Sequence, residues 1–267
     1  MSNNFEDKER ILIVGLPKSG TTILTYRVAG AFHKTKIFFE PGKEDGLNNK
    51  EIHQEIFNHP RKNILSKCLF VPTSEYDIPS ISPFYNKKIW IYRDPRDWII
   101  SAYFYRWRQF NPENYERILS SIQKKENNPT KVPFHRLLPK KFPDKVRFNH
   151  KKLLEAMETL DDSWLLLKYE DFVDNKIDSL NSYLNVQIDT DIEVDKQYER
   201  VTRSKAHSNW RQWFNQEDVA FFSELLNPYL EALNYDINDW GLEIPEQLDS
   251  TIGSEYLKKL IALKTKN

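Results

Sequence analysis

The chain has 267 residues, and its 39 Lys plus Arg balance its 39 Asp plus Glu, so no net field would collect nucleic acid or an anionic membrane. That length is enough for one large α/β domain with a well-buried core. A single cysteine, Cys68, leaves no disulfide framework within the chain and suits a reducing, cytoplasmic setting; the apolar run after the polar start is too short for a signal-peptide core or a membrane span.

Apolar runs of strand length recur at 10–14, 36–39, 63–70, 88–92 and 164–168. They lack alternation, which predicts strands buried on both faces. Helical patterns lie between and after them, at 21–32, 51–57, 95 to about 107, 151–160, 178–184 and 217–233. Pro95 suits a first helical turn, where its missing N–H costs nothing. In the last and longest helix Phe221, Phe222, Leu225, Leu226 and Leu230 recur at helical spacing. This alternation predicts an α/β fold with a parallel sheet and helices on both faces. We expect a single domain over 1–267, with a core at about 10–240 and a peripheral segment at 241–267. Right-handed crossovers gather the loops after the strands on one rim, where ligands bind.

Two stretches read less regularly. Residues 110–150 show the weakest periodicity, and 128–152 hold eight Lys or Arg against one Asp. That segment reads either as a solvated surface loop or as a lid that prefers anionic groups. Aromatic residues make up 13% of the chain, with seven Trp, which we assign mostly to the core.

The first strand runs into Gly15-Leu16-Pro17-Lys18-Ser19-Gly20-Thr21-Thr22. A strand, a glycine-containing turn and a helix start make an anion site from backbone N–H groups and the helix dipole. The nucleotide-triphosphate loop reads G-x-x-x-x-G-K-[ST], yet here Thr21 stands where that lysine belongs, and Lys18 sits inside the loop. The second strand ends in Glu40, a carboxylate that reads as a general base at the rim or as a cap or surface charge. Lys67 and Cys68 close the third, with Cys68 a small core residue. After the fourth comes Arg93-Asp94-Pro95-Arg96-Asp97, with Ser101 eight residues beyond Arg93. A guanidinium and a hydroxyl there suit a phosphate, while Arg96 and Asp97 read as structural. The fifth ends in Tyr169-Glu170-Asp171, and Arg203 and Lys205 put two more cations before Trp210-Arg211-Gln212-Trp213-Phe214.

Together these residues resemble the sulfotransferases that use 3′-phosphoadenosine 5′-phosphosulfate. The family's P-K-[ST]-G-T-[ST] is matched by residues 17–22, its Arg and Ser eight apart by Arg93 and Ser101, and its Y-E-D by residues 169–171. Its R-K-G-x-x-G-x-W-[RK]-x-x-F is matched at Arg203, Trp210, Arg211 and Phe214. The chain departs from the pattern at Ile23, at Ser204-Lys205 and at Ser208. The resemblance implies a P-loop nucleoside triphosphate hydrolase-like fold. It also implies sulfonate transfer to a small-molecule, lipid or carbohydrate acceptor, with 3′,5′-adenosine bisphosphate as product and no required metal. In that reading Lys18 steadies the leaving phosphate, and Ser19, Gly20, Thr21 and Thr22 hold the 5′-phosphosulfate. Arg93, Ser101 and Arg203 take the 3′-phosphate, with Lys205 beside them, and Tyr169 lies near the adenine. The base is Glu40, as in the carbohydrate-modifying branch, with His53 and Lys67 as alternatives. His33, His59 and His150 read as surface residues, and His135 as a possible acceptor contact. Two other readings stand: a P-loop small-molecule or nucleoside kinase, with Asp94 as its magnesium carboxylate, and a non-catalytic nucleotide-binding module.

Overall fold

Each of the five apolar runs forms a strand in the structure, a computed structural model that describes residues 8–41, 49–71, 77–106, 114–189 and 207–264. In chain order the elements begin β1 (Glu9–Gly15), α1 (Thr21–Ala31), β2 (Lys36–Phe39), α2 (Asn49–Asn58), β3 (Asn63–Leu69), α3 (Ile78–Ile81) and β4 (Lys87–Tyr92). They continue with α4 (Pro95–Arg106), α5 (Tyr115–Asn127), α6 (Phe142–Met157), β5 (Trp164–Lys168), α7 (Tyr169–Val173) and α8 (Asp178–Leu184). The last are α9 (Trp210–Trp213), α10 (Gln216–Ala232) and α11 (Ser254–Lys264). No described helix is long and apolar enough to cross a membrane.

The chain forms two compact units, one of Met1–Arg93 with Lys151–Val201 and the other of Asp94–His150 with Thr202–Asn267. The first holds the sheet. All its pairings are parallel, and the strand order is β2-β3-β1-β4-β5. Connections leave β1 toward β2 and leave β4 toward β5, so the sheet's switch point lies between the carboxyl ends of β1 and β4. Ligands bind in such a crevice.

Because side chains alternate along β1, Ile11 and Ile13 join Leu24 and Val28 of α1, Ile89 and Ile91 of β4, Leu167 of β5 and Phe172 of α7 in one core. Each large apolar side chain buried there contributes about 1.5–3 kcal/mol. On β4, Trp90 packs against Phe70 and Trp164, with ring centres 5.3 and 6.1 Å away. Arg10 is fully buried, and its guanidinium donates to the carbonyls of Phe57, His59 and Lys62. Those bonds hold the turn between α2 and β3 and offset the cost of burying a charge.

The second unit is helical and aromatic. Pro95 opens α4, as expected. Phe104, Phe134, Trp213, Phe214 and Phe222 form a connected ring cluster. Asn215 and Asp218 cap α10 reciprocally, each side chain accepting from the other's backbone N–H at 3.0 Å. Both carboxylate oxygens of buried Glu126 bind Ser254, one its backbone N–H and one its hydroxyl, which ties down the start of α11. Most Trp are core, as expected: Trp90, Trp98, Trp164, Trp210 and Trp213 are buried.

The expected irregularity of 110–150 is corrected. Residues 115–127 and 142–157 are helices, and a short 3-10 turn fills 134–137. Ile118, Leu119 and Ile122 bury one stripe of α5, an amphipathic signal that the many surrounding charges obscured. In the basic segment 128–152, residues 142–152 are α-helix, while 128–141 are a loop of turns around the 3-10 turn at 134–137.

Candidate functional site

The loop after β1 occupies the switch point. Lys18 has φ 77° and Gly20 φ 91°, both in the left-handed region, so the chain reverses twice within three residues. Ser19 N–H closes a turn onto Leu16 O at 3.1 Å. The first helical bond of α1 runs from Leu24 N–H to Gly20 O, and the Gly20 position supplies no side-chain cap. The N–H groups of Thr21, Thr22 and Ile23 therefore precede the helical ladder, as an anion cradle requires. Ser19 and Thr21 are buried, and Lys18 and Thr22 are partly exposed.

The same loop meets β4 and α7. A Cβ on Gly15 would collide with Ile91 O, so β1 and β4 approach as closely as glycine allows. At Gly20 a Cβ would run into the Tyr169 ring. That ring also carries the Arg93 guanidinium, whose carbon lies 4.4 Å from the ring centre. Arg93 donates to Lys18 O at 3.4 Å. Lys18, Gly20, Arg93 and Tyr169 are thus one contiguous cluster. The Tyr169 ring, expected near the adenine, packs against Gly20 and Arg93.

Glu40 lies at the end of β2, with φ 51°. Its Oε1 accepts from Lys67 Nζ at 2.8 Å and its Oε2 from Leu69 N–H at 2.9 Å. Its own N–H donates to Lys67 O at 2.8 Å. Register explains this: Phe39 pairs with Lys67, so the next residue after β2 falls beside β3's carboxyl end. The two residues singled out as base and alternative base are therefore partners. Cys68 is fully buried, as a core residue should be, and burial and the Glu40 carboxylate push its thiol well above its usual range against the opposing pull of Lys67. His53 is not at this rim. It is buried on α2, its Nδ1 is 2.6 Å from the Tyr85 hydroxyl, and burial lowers its pKa to about 4.

The remaining sites fall in the second unit or outside the described residues. Ser101 is buried on α4. Arg203 and Lys205 lie outside the described residues. Asp94 is held by Arg96, with Nε at 3.0 Å from each carboxylate oxygen and Nη2 at 2.7 Å from Oδ2. Burial raises the Asp94 pKa, and Arg96 opposes that rise. The Arg96 guanidinium in turn lies 4.3 Å from the Trp210 ring centre. Asp97 accepts from the N–H groups of Ser208 and Trp210. Ser208 stands where the family motif has a glycine, and it adopts φ 62°, the conformation that a glycine serves best. Arg211 pairs with Asp239 and donates to Gly241 O. His135 is paired with Asp218 at 2.8 Å and stacks on Phe221. His33 is exposed and His59 partly so, but His150 is buried against Trp98 and Tyr229, contrary to the surface reading. Its burial lowers its pKa to about 4.

No family model and no curated protein matches the sequence. Among solved structures, the chain is similar to a mouse sulfotransferase, SULT7A1, complexed with PAP. The match has a TM-score of 0.53 at 17% identity and covers 84% of this chain and 85% of that one. With its five-stranded parallel sheet flanked by helices and a glycine loop at the switch point, this chain has the P-loop-like α/β fold of a sulfotransferase.

Proposed function

We propose that the protein is a sulfotransferase that moves the sulfonate of 3′-phosphoadenosine 5′-phosphosulfate to a hydroxyl or amine acceptor. One observation carries this reading: the cluster of Lys18, Gly20, Arg93 and Tyr169 at the β1–β4 switch point, in the fold of an enzyme solved with PAP. The acceptor oxygen attacks sulfur as the bond from sulfur to the 5′-phosphate oxygen breaks. Sulfonate moves, 3′,5′-adenosine bisphosphate leaves, and the acceptor proton passes to a base. Lys18 stabilises the charge that grows on the departing phosphate, and the N–H groups of Thr21 and Thr22 hold it. Arg93, oriented by Tyr169, takes the phosphate that separates this donor from adenylate.

Glu40 is the base. Each of its oxygens already accepts one hydrogen bond, which fixes the carboxylate, and a second lone pair on each is left to take a proton. Lys67 is then the residue that orients Glu40. The kinase reading loses its support at Asp94, whose oxygens are taken up by Arg96. Calorimetry tests the assignment. The protein should bind 3′,5′-adenosine bisphosphate at least tenfold tighter than AMP or ATP, and labelled donor should transfer to an acceptor in a screen of alcohols, phenols and sugars. Equal affinity for the three nucleotides would reject it.

A further inference from the structure

A second candidate site lies at the opposite edge of the sheet. There a groove of about 760 Å³ opens below the amino ends of β1, β3 and β4 and the carboxyl ends of α1 and α8. The seven residues of β1 separate the two rims by roughly 20 Å, so this groove is distinct from the phosphate loop. Its volume is that of a small-molecule site.

Three features define what it fits. Phe32, Leu184 and Val186 supply an apolar lining. Around them stand cations at Lys34, Arg61, Lys62 and Lys87, against one lining carboxylate, Glu9. In a chain whose formal charges cancel, that is a local concentration of one sign. Cations often sit near helix carboxyl ends simply to balance the dipole. Lys87 does so, donating to Tyr183 O of α8 at 2.7 Å. The side chains of Lys34, Arg61 and Lys62 are exposed and make no hydrogen bond or ion pair among the described residues. The neighbouring His59 reports the same field: after burial, the cations Lys36, Arg10, Arg61 and Lys8 all lower its pKa. Finally, Glu9 Oε2 is buried and accepts no hydrogen bond among the described residues. Turned toward the groove, this oxygen would accept from a donor on the occupant.

We propose that this groove binds an amphipathic organic anion with an aliphatic or aromatic body, one N–H or O–H donor, and a carboxylate, phosphate or sulfate head. The body lies on Phe32, Leu184 and Val186. The head meets Arg61 and Lys62, and the donor meets Glu9 Oε2. This site is independent of sulfonate transfer.

N-octanoylglycine is a suitable probe, since it carries a tail, one amide N–H and a carboxylate. Calorimetry on the full chain should give saturable 1:1 binding. The double variant Arg61→Glu/Lys62→Glu, at exposed positions, should weaken it at least tenfold, and Lys18→Ala should leave it unchanged. N-octanoylglycine amide, which lacks the charge, should bind at least tenfold more weakly. N-octanoylsarcosine, which lacks the N–H, should bind several-fold more weakly. Absence of saturable binding overturns the proposal. So does affinity that survives the charge reversal, or equal affinity for the neutral amide. Equal affinity for the sarcosine derivative overturns the Glu9 contact.

Discussion

The Arg93 guanidinium rests on the face of the Tyr169 ring, 4.4 Å from its centre. The same ring fills the space that any side chain at position 20 would need. One aromatic residue therefore holds both the loop and the cation that we propose to grip the 5′ and 3′ sides of the donor.

Replacing Arg93 with Ala should chiefly raise the apparent constant for the donor, because the contact acts in ground state and transition state alike. Tyr169→Leu should move the same constant in the same direction by a smaller, several-fold amount, since a cation–π contact is worth about 0.5–2 kcal/mol. Steady-state kinetics with varied donor check both. A loss of turnover at unchanged donor affinity would contradict the assignment.

Lys18→Ala should cost several powers of ten in turnover while binding of 3′,5′-adenosine bisphosphate falls much less. Comparing single-turnover rates with calorimetric affinities separates the two effects. Near-normal turnover would remove Lys18 from the chemistry.

Gly20→Ala should lower thermal stability by about 1–3 kcal/mol and abolish tight donor binding. The φ of 91° penalises any Cβ, and the Tyr169 ring occupies its place. Combining it with Tyr169→Ala should restore part of the lost stability, which a double-mutant cycle reads directly. Strict additivity would mean that ring and loop are uncoupled.

Glu40→Gln keeps an acceptor for Leu69 N–H but cannot take a proton. Turnover with a hydroxyl acceptor should fall by roughly 10²–10⁴. Lys67→Met should also slow turnover, by unseating Glu40, and it should destabilise the fold by about 1–3 kcal/mol because Glu40 Oε1 loses its partner. A normal rate in Glu40→Gln would exclude it as base.

Two buried histidines make stability pH-dependent. His53 and His150 have folded-state pKa values lowered to about 4, against 6.5 for the free side chain. Between those values the unfolded chain binds more protons, so stability rises with pH across that window. The contribution is complete above pH 6.5 and is lost as pH falls toward 4, by on the order of 2–3 kcal/mol per histidine. Urea unfolding at pH 7 and pH 4.5 should show that slope. The variant His150→Asn should show a shallower one, and an unchanged slope would refute the role of His150.

Local chemistry was legible in the chain itself. The strand cores and the glycine loop after β1 depend on runs of neighbouring residues, and so does the Pro95 helix start, so periodicity and turn chemistry reveal them without any partner. Tertiary structure decided what depends on register and burial. Lys67 faces Glu40 only because β2 and β3 pair with Phe39 opposite Lys67. The pairing of Arg96 with Asp94, and of Asp97 with the N–H groups of Ser208 and Trp210, needed the fold, as did the burial of His53 and His150. Each of these joins groups whose nearness comes from packing, and no spacing along one segment encodes which side of a helix or strand will meet which neighbour.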